Sequence, residues 1–268
     1  MEINKIYNEN CLDTMAKMPD NFIDLTVTSP PYDNLRDYKG YSFPFEDIAK
    51  ELYRVTKQGG IVVWIVGDAT VNGCETLTSF KQAIYFKEIG FNVDTNIYHK
   101  QNYKPINAKR YDNVFEYIFV LSKGKSKTFN PIMVEKARVK IESGKYRRKD
   151  GSMKTNIRKA NELKKATNIF SYSIGGHIAD KIAFEHPAIF PEQLANDQIM
   201  SWSNAGDLVY DCFLGSGTTA KMSILNNRNF IGSELSKEYY EIALNRISEC
   251  GGLFFNSFQT ELSNEAGT

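Results

Sequence analysis

Short, β-branched apolar runs alternate along this chain with amphipathic stretches of helical period. A chain that keeps switching between the two periods can bury both kinds of face by layering helices on a mostly parallel sheet, which sets the α/β class. Residues 3–7, 23–28, 60–66, 93–99, 116–121, 208–210 and 230–233 read as strands. Residues 11–18, 45–56, 78–89, 192–202, 218–226 and 237–248 read as helices. Gly59-Gly60 is expected to close the second helix and Gly90 the third. The 268 residues suit one large domain, or one domain with an insertion, and a 42% apolar content supplies a substantial core.

The charge is unevenly laid out. Overall the chain holds 33 Lys/Arg and 32 Asp/Glu, but residues 125–170 hold 14 against 4, a net of +10. The remainder has a net of −9. A basic block on an acidic body fits a polyanion-binding insertion, with a solvated charged loop as the plain alternative. From 125 to about 178 the chain lacks clean periodicity and is rich in Lys, Asn, Ser and Gly. This divides the chain into 1–124, a basic insertion 125–179, a segment 180–250 and a loosely structured tail 251–268. No apolar run is long enough to span a bilayer, and the start MEINKIYNEN lacks a basic segment followed by an apolar one. A soluble, cytoplasmic protein with no membrane partner is expected. Cys11, Cys74, Cys212 and Cys250 show no CxxC spacing, so neither a zinc site nor a disulfide framework is indicated, and no metal is expected.

Two stretches carry the chemistry. In LTVTSPPYDN (residues 25–34) a β-branched strand runs into Ser29-Pro30-Pro31-Tyr32. The prolines fix φ and remove two N–H groups, so the strand stops and nearby carbonyls are left without ladder partners. A rigid turn with free carbonyls, a hydroxyl and an aromatic face suits a flat group bearing an NH₂. A simple strand-ending turn is the other reading. In DLVYDCFLGSGTTAK (residues 207–221) a short strand ends in Asp211, and Gly215-Ser216-Gly217 opens a helix. Glycines there allow close backbone approach, and the helix start offers unpaired N–H groups. FIGSEL then places Glu234 at the tip of the next strand, where a carboxylate can accept from ribose hydroxyls. Together these form a nucleoside-cofactor half-site. A P-loop fits poorly, because Thr-Thr-Ala separates Gly217 from Lys221. The dinucleotide fingerprint has Ala220 at its third glycine, a weaker exclusion.

TSPPY, DCFLGSGTTAK, FIGSEL and HPAIFPEQL (residues 186–194) together resemble the S-adenosylmethionine-dependent DNA methyltransferases of the exocyclic-amine type. Their order is similar to the β-class arrangement, with the catalytic element first and the cofactor glycine motif near the C-terminus. The resemblance covers nearly the whole chain. It makes 1–124 the catalytic half and 180–250 the cofactor half of one domain, and 125–179 the target-recognition insertion. It implies a doubly wound, mostly parallel, seven-stranded sheet, Rossmann-like and circularly permuted.

It also implies roles for individual residues. Ser29, Pro30, Pro31 and Tyr32 would be the catalytic tetrapeptide, with the Ser29 hydroxyl and Pro30 carbonyl accepting from the target amine and Tyr32 stacking on the extruded base. Orientation and charge stabilisation would then matter more than a strong base. The cofactor, S-adenosyl-L-methionine, would sit against Asp211, Phe213, Gly215, Ser216, Gly217 and Thr218, with Glu234 on the ribose. Asp211 would contact the methionine amino group or order the turn. His186-Pro187 and Phe190 would pack beside the methionine part, and Asn10 would accept from the adenine amino group. Phe115 would line the base pocket or belong to the core. Asp68 would steady the catalytic loop or cap the turn that follows. Arg36 and Tyr38 would touch phosphate or the flipped nucleotide, or be solvated. Lys145, Arg147 and Arg148 in KYRRKDG are candidates for DNA backbone contact.

Within that family, Ser-Pro-Pro-Tyr resembles the cytosine-N4 group, whereas Asp or Asn at the first position is commoner among adenine-N6 enzymes. No cysteine follows a proline, which disfavours the carbon-5 route through a thiolate. The implied activity is methylation of cytosine N4 in duplex DNA by direct in-line transfer after base flipping. Adenine N6 is the alternative. An RNA methyltransferase, or a non-catalytic nucleic-acid-binding protein of the same fold, is a more distant one. A cognate restriction endonuclease, and a monomer or a homodimer, stay open.

Overall fold

The computed structural model describes residues 1–31, 43–103, 105–106, 109–137, 141–159, 162–173 and 190–250, with backbone alone at 141–146 and 154–159. Tyr32, Arg36, Tyr38, His186, Pro187 and the tail 251–268 lie outside the described residues. In chain order the elements are β1 (Lys5–Tyr7), α1 (Cys11–Ala16), β2 (Ile23–Thr28), α2 (Phe45–Val55), β3 (Thr56–Val66), β4 (Thr70–Val71), β5 (Cys74–Glu75), α3 (Thr78–Glu88), β6 (Asn92–Gln101) and β7 (Phe115–Ser122). They continue with β8 (Met133–Glu135), β9 (Ile141–Arg147), β10 (Met153–Lys159), β11 (Leu163–Lys165) and β12 (Ile169–Ser173). The last are α4 (Glu192–Trp202), β13 (Leu208–Asp211), α5 (Thr218–Leu225), β14 (Asn229–Ser233) and α6 (Lys237–Ser248). Two compact units result, Pro131–Thr167 and the remainder.

The larger unit holds one sheet in the order β1-β14-β13-β2-β3-β7-β6-β12. Only β7 runs against its neighbours; every other pairing is parallel. This is the expected doubly wound, mostly parallel sheet, but with eight strands where seven were expected. The eighth, β12, pairs in parallel with β6 from Ile169↔Ile97 to Ser173↔Gln101. Its sequence IFSYS buries only Tyr172 and begins at the end of the basic block, so it carries no strong apolar signature.

β3 shows why the sheet is covered on both faces. Val62, Trp64 and Val66 face one core with Ile48, Leu52 and Phe86 from α2 and α3. Ile61, Val63 and Ile65 face the other, with Leu194 and Ile199 of α4 and Met222 of α5. A strand buried on both sides reads as a continuous apolar run, as residues 61–66 do. A third cluster joins Ile6 and Phe230 to Ala220 of α5 and to Ala243 and Ile247 of α6.

Gly59-Gly60 does not close a helix. α2 ends at Val55, where the Thr56 N–H and hydroxyl both bond the Leu52 carbonyl. The two glycines lie inside β3, where the register with β2 jumps from Ile23↔Thr56 to Leu25↔Ile61. Gly59 has φ +79°, and a Cβ there would stand 2.4 Å from Lys127 Cγ, so this irregularity needs glycine. Gly90, at φ +115°, follows α3 as expected.

In the smaller unit, β9 pairs antiparallel with β10 and β8 with β11. Met133, Val134, Met153 and Leu163 are exposed. The strand sequences MVE, IESGKYR, MKTNIRK and LKK hold few apolar residues, so no period-2 apolar signal marks this span. Among the described residues no helix is long and apolar enough to cross a membrane.

Candidate active site between two parallel strands

β13 and β2 lie side by side, with Val209↔Leu25 and Tyr210↔Thr26 in register. From this pair the chain winds outward both ways: β13 leads through α5 to β14, and β2 through α2 to β3. In a doubly wound sheet, the crevice at the carboxyl ends of such a diverging pair is where ligands bind. Both chemically suggestive turns leave the sheet here. Ser29-Pro30-Pro31 follows Thr28, and 212–217 follows Asp211.

A buried polar bridge ties the two turns together. The Thr28 hydroxyl donates to Asp211 Oδ1 at 2.6 Å, and the Thr219 hydroxyl to Asp211 Oδ2 at 2.7 Å. The Phe213 N–H adds a third bond to Oδ1 at 3.0 Å. Burial pushes the Asp211 carboxyl upward, while these three donors pull it back toward the charged form. Asp211 thereby links the end of β2, the start of the glycine turn and α5.

Gly215 and Gly217 have φ of +54° and +83°. A Cβ on Gly217 would also stand 3.0 Å from Ala243 Cβ and 3.1 Å from its Cα, so the turn packs tightly on α6. Gly217 is the N-cap of α5 and supplies no side-chain cap, which leaves the helix's first N–H groups to other partners. Glu234, just past β14, accepts from the Gly215 N–H through Oε2 and from the Ser236 N–H through Oε1, each at 2.8 Å. Each oxygen retains a lone pair. Burial raises the Glu234 carboxyl above its ordinary value, against the pull of the Ser236 and Gly215 N–H groups. Uncapped backbone donors beside a carboxylate acceptor fit a nucleoside with free ribose hydroxyls. Phe213, half-buried, sets its ring 5.7 Å from Phe43 and 6.2 Å from Trp64.

Other expected residues are placed unevenly. Ser29 and Pro31 are half-buried and Pro30 buried. The hydroxyls of Ser216 and Thr218 turn to Arg246. The Asn10 amide oxygen caps α1 by accepting from the Leu12 N–H. Phe190, immediately before Pro191 at the head of α4, packs on the core beside that helix. Phe115 opens β7, 37% exposed, edge-on to Tyr117. Asp68 accepts from both the N–H and the hydroxyl of Ser79 at the head of α3. Lys145 and Arg147 lie on β9, and Arg147 and Arg148 are exposed at its turn into β10.

Four residues escaped the sequence reading: Thr28, Thr219, Glu192 and Arg246. The signal for the threonines was a buried acid that must find donors. For Arg246 it was a cation within the apolar stripe Ile242, Ala243 and Ile247 of α6.

An α/β fold of this topology, with a glycine turn and a carboxylate at one strand end and a Ser-Pro-Pro turn at the next, fits an enzyme that takes a nucleoside cofactor. The chain belongs to the DNA methylase family N6_N4_Mtase, which matches residues 23–245. It is an S-adenosylmethionine-dependent DNA methyltransferase. It is 56% identical over 235 residues to the orphan methyltransferase M.BamHII of Bacillus amyloliquefaciens, covering 84% of this chain and 88% of that one. The fold is shared with TTHA0409 of Thermus thermophilus in complex with S-adenosyl-L-methionine, at TM-score 0.65 and 22% identity over 92% of this chain and 93% of that one. It is also shared with the cytosine-N4-specific PvuII DNA methyltransferase, at TM-score 0.69 and 19% identity over 90% and 85% of the two chains.

Proposed function

We propose that this enzyme methylates the exocyclic N4 of cytosine in duplex DNA, in the crevice at the carboxyl ends of β2 and β13. The observation that supports the proposal is the Thr28–Asp211–Thr219 bridge, which ties the residue before Ser29 to the strand end and the helix that flank the glycine turn. S-adenosylmethionine, when bound, supplies an electrophilic methyl on a sulfonium. The chain's own task is to hold the acceptor nitrogen. Conjugation with the ring makes that nitrogen a poor nucleophile, so the Ser29 hydroxyl and Pro30 carbonyl accept its two N–H bonds and turn its lone pair out of the ring plane. Tyr32 stacks on the base. Extrusion of the base costs a few kcal/mol, offset by these contacts. Phe115 lines the base pocket at the sheet's edge. Lys145, Arg147, Arg148 and Arg36 neutralise phosphates, and residues 125–179 as a whole serve target recognition.

On the cofactor side, the turn Gly215–Gly217 and the start of α5 offer N–H groups, and Glu234 accepts from the ribose. Phe213, Phe190 and His186-Pro187 enclose the remainder, and Asn10 stands on the adenine side. Glu234 yields a pH prediction. Its raised carboxyl means that protonation begins at a higher pH than for an ordinary glutamate, and the neutral acid accepts less well. Cofactor affinity should therefore fall as pH is lowered through that window. Glu234→Gln should weaken S-adenosylmethionine by roughly tenfold or more and flatten the pH profile. Calorimetric titration checks both; tight, pH-independent binding in the two proteins would remove Glu234 from the site.

The enzyme would act in the cytoplasm. The orphan standing of M.BamHII favours action without a cognate endonuclease, the companion that the resemblance had left open. The test is incubation of the purified protein with duplex DNA and S-adenosylmethionine, followed by mass spectrometry of the nucleosides. N4-methylcytosine supports the proposal. N6-methyladenine would assign the other amine, and methylation confined to RNA, or absent, would overturn the proposal.

A further inference from the structure

We infer that Arg246 is a positioning residue that sets the shape of the cofactor turn from behind and couples it to the head of α4. This rests on the reading that the 215–217 turn holds the cofactor. Arg246 is 1% exposed, on the apolar face of α6. A guanidinium buried there is costly unless its donors are met by well-placed acceptors. Three of those acceptors belong to the turn and the first residue of α5. The two N–H groups of Nη1 are shared among the Ser216 carbonyl at 2.6 Å, the Ser216 hydroxyl at 2.9 Å and the Thr218 hydroxyl at 3.1 Å. Nη2 donates to Glu192 Oε1 at 2.9 Å, an oxygen that also meets Lys221 Nζ at 2.7 Å.

The arrangement has a mechanical meaning. Ala243 presses on Gly217 and, one helical turn further along, Arg246 grips Ser216 and Thr218, so one face of α6 moulds three consecutive residues. Arg246 thereby takes up both oxygens of Ser216 and the Thr218 hydroxyl. Glu192 stands two residues after Phe190, at the first position of α4. Through the shared guanidinium the turn and the head of α4 are held as one unit, while Lys221 links the same carboxylate to α5. A planar fork presents separate N–H pairs to the turn and to Glu192, a fixed geometry that a compact ammonium does not reproduce.

The test compares Arg246→Lys, Glu192→Gln, their combination and Glu234→Gln by calorimetric titration with S-adenosylmethionine and with S-adenosylhomocysteine. Thermal unfolding and the KM for duplex DNA are measured alongside. Arg246→Lys should raise the Kd of both ligands by roughly ten- to a hundredfold, as expected for lost charge-assisted bonds, with the KM for DNA unmoved. Glu192→Gln should raise it by about threefold to tenfold, and the double variant no further than Arg246→Lys alone, since the two act through one contact. A lowered unfolding midpoint with wild-type Kd in the folded protein would overturn the inference. Should Arg246→Lys fail to fold, Glu192→Gln decides in the same way. If Glu234→Gln loses the cofactor while Arg246→Lys keeps it, this inference fails and the site stands. If Glu234→Gln also binds as wild type, the reading of the turn itself is wrong.

Discussion

Ser29→Ala is expected to slow methyl transfer by about a hundredfold or more while leaving S-adenosylmethionine affinity unchanged. The hydroxyl sits one residue past Thr28, where β2 ends, and Pro30 and Pro31 deny the turn any easy rearrangement. Its loss removes one of two acceptors that orient the amine, a contact whose value lies in the transition state. The glycine turn and Glu234, reached through different strands, are untouched. Single-turnover transfer of labelled methyl to duplex DNA, paired with calorimetric titration of the cofactor, separates the two steps. Tyr32→Ala should show the same split, through loss of base stacking. Full activity in both variants would contradict the assigned roles.

Asp211→Ala should act on both halves of the site at once. The carboxylate satisfies Thr28, Thr219 and the Phe213 N–H in a buried setting, and alanine leaves all three donors without it. Each stranded group costs about 1–3 kcal/mol, partly relieved because a buried charge has also been removed. A net destabilisation of about 2–4 kcal/mol is expected, together with loss of cofactor binding and of transfer. Asp211→Asn keeps one acceptor and should fall between alanine and wild type. Denaturant unfolding measures the first effect. Unchanged stability would mean that the bridge is not what holds the two turns side by side.

The site was legible in the sequence where its chemistry is local. Ser-Pro-Pro, Gly-Ser-Gly and the strand tip at Glu234 each pair a strand end with a turn, and those residue types keep their meaning without knowledge of the fold. The central strands were legible for a similar reason, since β3 is apolar on both faces. Long-range polar pairing was not. Thr28 and Asp211 are 183 residues apart, and nothing local to either announces the bond. Arg246 lies 30 residues from Ser216 and 54 from Glu192, and a cation within an apolar stripe gives no hint of which acceptors it will find. β12 and the strands of the smaller unit carry no clear signal because their sequences mix polar and apolar residues without a strong apolar alternation. Gly59-Gly60 was misplaced because a glycine pair after a helix and a glycine pair inside an irregular strand look alike until the β2 register is known.

The most direct measurement is an experimental structure with S-adenosylhomocysteine and a duplex carrying the target sequence. The cofactor's sulfur is expected beside the Gly215–Gly217 turn, with an extruded cytosine whose amine meets the Ser29 hydroxyl and the Pro30 carbonyl. A cofactor seated away from that turn, or an extruded base with its amine turned from Ser29, would contradict the proposed function.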